Sequence, residues 1–368
     1  MKRRLLFIYL QPSSFVREDL RILSEEYDIR PFHFGWDAKP GPLEFGAMLL
    51  RQLTWLLREL PRSDIVFGWF SDYHMVLPVL MAQAFRKPVA VSIGGFDAVS
   101  MPSLRHGIGA SGWRMPLARL VLRLADLLLP VSSSLIYSKN RFAERVEEEE
   151  QGLRRLLPDL ATRIEVVPTG YDPDEWPIGP LERDPIVSTV AYLDGDRVLR
   201  IKGIDLVIET ARRMPEVSFN IIGVIDPESV RERFDPPSNV RLVAPVERAK
   251  LVDHYHSASV YLQLSRMEGL PNALCEAMLC GCIPVGSRVF GIPDGIGDAG
   301  YVVERPDPDE VVSAVRRALE APGEMRLRAR EHIIAHFSLE RRSERLLGLL
   351  DELVRGGDLV QDGRVHAD

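Results

Sequence analysis

Twice along this chain, six short apolar runs alternate with longer segments in which apolar residues recur at helical spacing. In the first half the runs are Leu5–Leu10, Ile29–Phe34, Ile65–Trp69, Val89–Ile93, Leu127–Val131 and Ile164–Val167, separated by helical stretches such as Ala47–Leu60 and Pro116–Leu128. In the second they are Ile186–Leu193, Val217–Val224, Val240–Val243, Val260–Leu264, Ile283–Val285 and Gly300–Val303. Buried parallel strands read as such runs, and the connection between two of them needs about a dozen residues or more, commonly a helix. The pattern predicts an α/β chain with two parallel sheets, helices on both faces of each, and a cleft between two similar halves. Ligands in such sheets collect at the carboxyl ends of the strands.

The connection between the halves fits this division. Ile164–Pro177 leaves a strand and enters a stretch rich in Pro and Asp, as an interdomain joint should. A chain of 368 residues, 46% hydrophobic and 27% charged, is long enough for two ordinary globular domains. The net charge of −7 gives no broad electrostatic footprint for nucleic acid, so no nucleic-acid partner is expected. The three cysteines, Cys275, Cys280 and Cys282, lie close together and read as small core residues in a reducing compartment. Met1–Leu10 begins with basic residues, but its apolar run stops at Gln11-Pro12 without a small-residue cleavage site, so it reads as a buried first strand. A cytoplasmic location, with membrane association left open, is the expectation.

The most informative stretch is Ser265–Val285, SRMEGLPNALCEAMLCGCIPV. It lies between two strand-type runs, with Pro271 suited to a first helical turn and Gly281 to a helix end, which predicts a helix over Pro271–Cys280. Glu268 then falls in the loop and Glu276 inside the helix. Carboxylates at such a strand end can accept hydrogen bonds from sugar and ribose hydroxyls, while the N–H groups of a helix start suit an anion. Taken alone, Glu268 better suits a capping interaction and Glu276 a solvated helix face. The order Ser265, Glu268, Gly269, Leu270, Pro271, Glu276, Ala277, Met278, Gly281 and Pro284 closely resembles the signature of retaining glycosyltransferases of family 4, whose two Rossmann-like domains form the GT-B arrangement.

That resemblance implies a first domain over 1–170 that takes the acceptor and a second over 171–337 that takes a nucleotide diphosphate sugar. The terminal segment 338–368 would cross back onto the first domain, since His336-Phe337-Ser338-Leu339-Glu340-Arg341 resembles the family's terminal phrase. Glu276 would bind the donor ribose, Glu268 would face the transferred sugar, and the backbone of Gly269, Leu270, Pro271 and Asn272 would support sugar or phosphates. Lys202-Gly203-Ile204-Asp205 resembles the donor-phosphate motif. Lys202 would stabilise the leaving diphosphate, accompanied by Arg197 as first choice and Arg200 as second.

In the first half, Gly94-Gly95-Phe96-Asp97 follows a strand and matches the place where many family members carry His-Gly-x-Asp at the sugar. Here Gly94 occupies the histidine position. Asp97 is expected to be the side chain facing the sugar, with the capping of a turn as its alternative; His74, ahead of His106, is the candidate to replace the missing imidazole, with a solvated loop histidine as the reading each favours alone. Leu104–Leu128 carries Arg105, Arg114, Arg119 and Arg123 beside Trp113 and many leucines, so it is read as a helix covering the sheet, with peripheral membrane contact as the alternative. Glu147–Glu150 reads as a solvated helix surface. Asp172/Asp174, Asp194/Asp196 and Asp307/Asp309 repeat a short Asp-x-Asp pattern three times, and no His/Cys cluster has metal-ligand spacing, so neither a metal nor another cofactor is expected. The function implied is retaining transfer from a nucleotide sugar to an unknown acceptor, a glycan, a lipid-linked substrate or a small molecule. A nucleotide-sugar epimerase or phosphorylase of the same architecture, and an inactive nucleotide-sugar-binding protein, are the alternatives.

Overall fold

A computed structural model describes residues 2–35 and 40–362 of the chain. Its first sheet contains β1 (Arg3–Tyr9), β2 (Tyr27–His33), β3 (Ile65–Trp69), β4 (Val89–Ile93), β5 (Leu127–Pro130) and β6 (Arg163–Ile164), in the spatial order β2-β1-β3-β4-β5-β6. The second contains β7 (Ile186–Leu193), β8 (Ser218–Val224), β9 (Val240–Val243), β10 (Val260–Gln263), β11 (Ile283–Ser287) and β12 (Tyr301–Val303), ordered β9-β8-β7-β10-β11-β12. Every ladder in both sheets is parallel, as the apolar runs predicted. All residues of β3 and β4 are buried, which is why their sequences IVFGW and VAVSI show no polar alternation.

Helix α1 (Ser14–Glu26) links β1 to β2 on one side of the first sheet. The next three connections step across the sheet in the opposite direction, and right-handed crossovers place α2 (Pro42–Glu59), α3 (Val76–Ala84) and α4 (Arg114–Leu124) together on the other face. In the second domain, α5 (Asp196–Ile201) and α6 (Ile204–Arg212) follow β7, α7 (Arg248–Ser257) precedes β10, and α8 (Asn272–Leu279) joins β10 to β11. Where the two sheets reverse direction, between β1 and β3 and between β7 and β10, strand ends diverge and leave a crevice.

The terminal helix α9 (Leu339–Asp362) crosses back to the first domain and packs on α1, as the resemblance implied. Buried Arg342 latches it there, with Nε and Nη2 donating to the Asp19 carboxylate at 2.7 and 2.6 Å and Nη1 to the carbonyls of Val167 and Pro168. Asp19 also accepts the Trp69 indole N–H at 2.9 Å, so charge and lone pairs are matched within the core.

Several local expectations differ from the structure. Leu104–Leu128 is not one helix, because Gly107, Gly109 and Gly112 interrupt it before α4 begins at Arg114. The Glu147–Glu150 run is not wholly solvated: Glu148 is buried and accepts from the Ser103 N–H at 2.7 Å and its hydroxyl at 2.5 Å. The strand expected over Ile164–Val167 pairs only at Arg163–Ile164. The three cysteines are free and buried, as read from the sequence. The segment after Asp362 lies outside the described residues. No helix among the described residues is long and apolar enough to cross a membrane.

Candidate active site between the two domains

Helix α8 begins one residue later than predicted. Pro271 sits at its N-cap with φ −76° and ψ 116°, and the helix runs Asn272–Leu279. Its C-terminal carbonyls are met by arginines: Arg330 donates to Leu279 O at 2.6 Å and Arg183 to Cys280 O at 2.6 Å, a favourable charge for that end. These contacts fix α8 so that Glu276 and the loop before the helix face the crevice.

The crevice holds a cavity of about 550 Å³ whose walls come from both domains and which reaches both points of sheet reversal. Ser14, Phe15, Trp69, Phe70, Gly94, Val131 and Thr169 come from the first, and Val190–Tyr192, Lys202, Arg248, Gln263 and Glu268–Asn272 with Glu276 from the second. Lys202 and the two glutamates of the Ser265–Val285 stretch are thus brought together, although 74 residues separate Lys202 from Glu276 along the chain.

Lys202 Nζ donates to Glu268 Oε1 at 2.6 Å. The same oxygen accepts from Ser265 Oγ at 2.9 Å and from Gln263 Nε2 at 3.2 Å, while Oε2 takes no hydrogen bond among the described residues. Lys202 is brought to this carboxylate by the turn at Gly203, whose φ of +69° and closeness to Leu264 O leave no room for a side chain. A Cβ there would lie 2.0 Å from that carbonyl.

Glu276 is held far more loosely. It is buried, yet its contacts are long: Tyr255 Oη at 3.4 Å and Arg248 Nη2 at 3.6 Å. Burial pushes its carboxyl up to about 7, against the pull of Arg248 and the Tyr255 hydroxyl. A desolvated carboxyl with such weak partners is suited to accept hydrogen bonds from a ligand.

Across the cavity, the Gly94–Gly95 loop meets the Gly269 loop backbone to backbone. A Cβ on Gly269 would lie 2.2 Å from Gly94 O, and one on Gly95, at φ +132°, would lie 2.9 Å from Met267 Cε. The glycines therefore permit close approach of the two domains. Asn272 ties the same junction, accepting from Tyr171 Oη at 2.8 Å and donating to Ser14 Oγ at 3.2 Å.

Other expected site residues are placed elsewhere. Asp97 is fully buried and does not line the cavity; Oδ1 accepts from the N–H groups of Gly94 and Gly95 at 3.1 and 3.0 Å and Oδ2 from that of Ser71 at 3.1 Å. Burial pushes it up to about 6, against those backbone donors. It shapes the loop rather than facing the sugar. His74 is also fully buried, with Nε2 bonded to Trp69 O at 2.9 Å, and burial lowers it to about 4, so it does not replace the missing imidazole. His106 stacks edge-on against Phe96 at 5.3 Å beyond the cavity wall.

Arg197 and Arg200 lie on the short helix α5 rather than in an open loop, and neither lines the cavity. Arg197 donates to Arg105 O at 3.2 Å, and Arg200 pairs with Glu144. The arginine at the cavity is Arg248, which the sequence reading missed. It stands at the start of α7, 3.0 Å from Glu175 and 4.9 Å above the Trp176 ring. No motif surrounds it; only its place between β9 and β10 would have pointed to it.

Two Rossmann-like domains joined in this way, with facing parallel sheets, a cavity at both reversals and a crossing terminal helix, define the GT-B class. Sucrose-phosphate synthase from Thermosynechococcus elongatus shares the fold at TM-score 0.74 and 16% identity, over 96% of this chain and 100% of that one. HepE of Anabaena, solved in complex with UDP and glucose, shares it at TM-score 0.70 and 13% identity, over 95% and 100%. Residues 186–321, most of the second domain, match the family described as Glycosyl transferases group 1, so the chain combines the GT-B fold with a likeness to family-4-type glycosyltransferases. One subunit of the human phosphatidylinositol N-acetylglucosaminyltransferase is 27% identical over 165 residues, which is 42% of this chain and 33% of that protein. The D-inositol 3-phosphate glycosyltransferase of Segniliparus rotundus is 26% identical over 250 residues, 61% of this chain and 55% of that protein. The match thus spans between a third and about half of the length of these relatives.

Proposed function

We propose that the chain is a retaining glycosyltransferase that moves a sugar from a nucleotide diphosphate donor to an acceptor during glycoconjugate synthesis. The observation that carries this reading is the meeting of a lysine–carboxylate pair and a loosely held buried carboxyl on one interdomain cavity. In the reaction, the bond from the sugar C1 to the diphosphate oxygen breaks. A bond from C1 to the acceptor oxygen forms on the same face, and the acceptor hydroxyl proton ends on the departing diphosphate.

Lys202 stabilises the charge that develops on the diphosphate, an effect worth about 3 kcal/mol for a well-placed group. Its bond to Glu268 keeps the ammonium positioned, and the free oxygen of Glu268 faces the transferred sugar. Glu276 accepts hydrogen bonds from the ribose hydroxyls. N–H groups of the Gly269–Asn272 segment support sugar or phosphate. The reading uses no metal and no cofactor. Relatives named for phosphatidylinositol and for D-inositol 3-phosphate support an acceptor that presents a polyol hydroxyl.

The test is release of nucleoside diphosphate from a panel of nucleotide sugars, with and without polyol acceptors, in the presence of EDTA. Acceptor-stimulated release that survives EDTA is expected. Conversion of donor without acceptor would assign an epimerase, and binding without turnover a carrier. Activity lost in EDTA and regained with manganese would overturn the metal-free part.

A further inference from the structure

The layer α2–α3–α4 exposes apolar side chains in a way the rest of the surface does not. Of the thirteen large apolar residues exposed among the described residues, six belong to these helices or border them. Leu43 is 90% exposed, Leu50 62% and Leu57 54%. They recur every seven residues, so they form one stripe about 21 Å long on the outer side of α2. Trp113, 60% exposed, stands at the start of α4 and stacks on Tyr73, which packs against Phe45 of α2, so it lies beside the first turns of that helix.

The charge around the stripe is mostly positive, although Arg114 pairs with Asp72 and Arg123 with Asp159. The three helices carry five arginines, Arg51, Arg58, Arg114, Arg119 and Arg123, against two glutamates. Glu44 is engaged in capping the Gly41 N–H, and Glu59 is mostly covered between Arg58 and Arg4. In a chain of net charge −7 this is a local reversal. Apolar side chains flanked by arginines complement a surface with anionic headgroups above an apolar interior.

A second copy of the chain fits less well. Two helices pair through two apolar positions per heptad, but the positions beside the leucines on the exposed side are Gly46, Ala47 and Thr54, and pairing would bring Arg51 and Arg58 against like charges.

We propose that the outer face of α2, with Trp113, docks the first domain on an anionic lipid bilayer. The proposal concerns a surface away from the cavity and is measured without turnover. It moves the membrane contact from the Leu104–Leu128 segment as a whole to α2, keeping only Trp113 of that segment.

Full-length protein is floated with vesicles of phosphatidylcholine alone or with about one-third phosphatidylglycerol, at low and high salt. Binding should require phosphatidylglycerol and weaken in salt, since each arginine near such a surface contributes about fivefold in affinity. Leu50→Glu with Leu57→Glu should reduce vesicle binding at least about tenfold, as should Arg51→Glu with Arg58→Glu. Val146→Glu, at an equally exposed apolar position outside this layer, should leave it unchanged, and circular dichroism checks that each variant is folded. No binding to phosphatidylglycerol vesicles at low salt would overturn the proposal. So would equal losses in the Val146 and leucine variants, or a leucine-dependent dimer in sedimentation without vesicle binding.

Discussion

On the second domain's wall of the cleft, Glu268 reaches the cavity from a loop, Lys202 and Arg248 from helix ends, and Glu276 from inside α8. On the first domain's wall, strand ends of the same kind offer Phe15, Trp69, Phe70, Gly94 and Val131, with the hydroxyls of Ser14 and Thr169 and no charged side chain among the described residues. The first domain does have charged groups nearby, but they are turned inward: Asp19 holds Arg342 and Trp69, Asp72 pairs with Arg114, and Asp97 collects three backbone N–H bonds. One wall therefore presents chemistry and the other presents shape. Two domains of one architecture have divided the work at their strand ends, and substitutions on the two walls should fail in different ways.

The largest effect is expected at the ion pair. Lys202→Ala and Glu268→Gln should each lower turnover by about a hundred- to a thousandfold while leaving melting temperature nearly unchanged. Because the two groups act through one 2.6 Å contact, the double variant should lose much less than the product of the single losses. Independent, multiplicative losses would show that they serve separate steps and would break the account of one positioned pair.

Glu276 should register in binding rather than in chemistry. Glu276→Gln removes a charged acceptor and should weaken nucleotide-sugar binding by about ten- to a hundredfold, the equivalent of roughly 1.5–3 kcal/mol. Its pH dependence has a defined sign. Burial holds the carboxyl protonated in the free protein below about 7, whereas ribose hydroxyls favour the carboxylate. Affinity should therefore fall as pH drops below 7, approaching about tenfold per unit. A nucleotide sugar is the proper probe, because its doubly esterified diphosphate has no group titrating there. Calorimetry from pH 6 to 8 should show this slope in the native protein and a flat response in Glu276→Gln.

Asp97→Asn probes the other wall. An amide cannot reproduce a carboxylate that accepts at both oxygens, since its NH₂ group would confront either the Ser71 N–H or those of Gly94 and Gly95. About 1–3 kcal/mol of stability should be lost, visible as a lower melting temperature, with turnover falling as the loop loosens. A selective loss of turnover at unchanged melting temperature would return Asp97 to the chemistry and erase the contrast between the walls.

What was legible in the sequence follows the same division. Both sheets were readable because strands buried on two faces cannot hide their apolar runs, and Glu268, Glu276 and Lys202 because they sit in continuous phrases whose glycines and prolines shape the backbone. Arg248 was not readable, since its role depends on where α7 starts in space and no neighbouring residue marks it. Asp97 and His74 were misplaced for the opposite reason: a strand-end position says that a residue is near the cleft, but not whether its side chain turns outward. That is decided by unpaired backbone groups nearby, the Gly94, Gly95 and Ser71 N–H groups for Asp97 and the Trp69 carbonyl for His74.

The smallest effect is expected at the arginines that sequence set beside Lys202, and it sharpens the comparison most finely. Arg200 lies two residues before Lys202, which lines the cavity, yet its guanidinium crosses to Glu144 of the first domain, and its side chain is 43% exposed. A partly exposed pair of this kind contributes about 0–1 kcal/mol, screened further by salt. Arg197 is likewise spent on a carbonyl, that of Arg105, in the first domain. Both side chains thus connect the walls instead of facing the ligand. Arg200→Ala should keep turnover within about twofold and lower the melting temperature slightly, with that small loss vanishing in high salt. If Arg200→Ala or Arg197→Ala instead matched Lys202→Ala, the contacts to Glu144 and Arg105 would have to be broken when donor binds. The positive wall would then include Arg197 and Arg200 beside Lys202, and the division between the two walls would have to be redrawn.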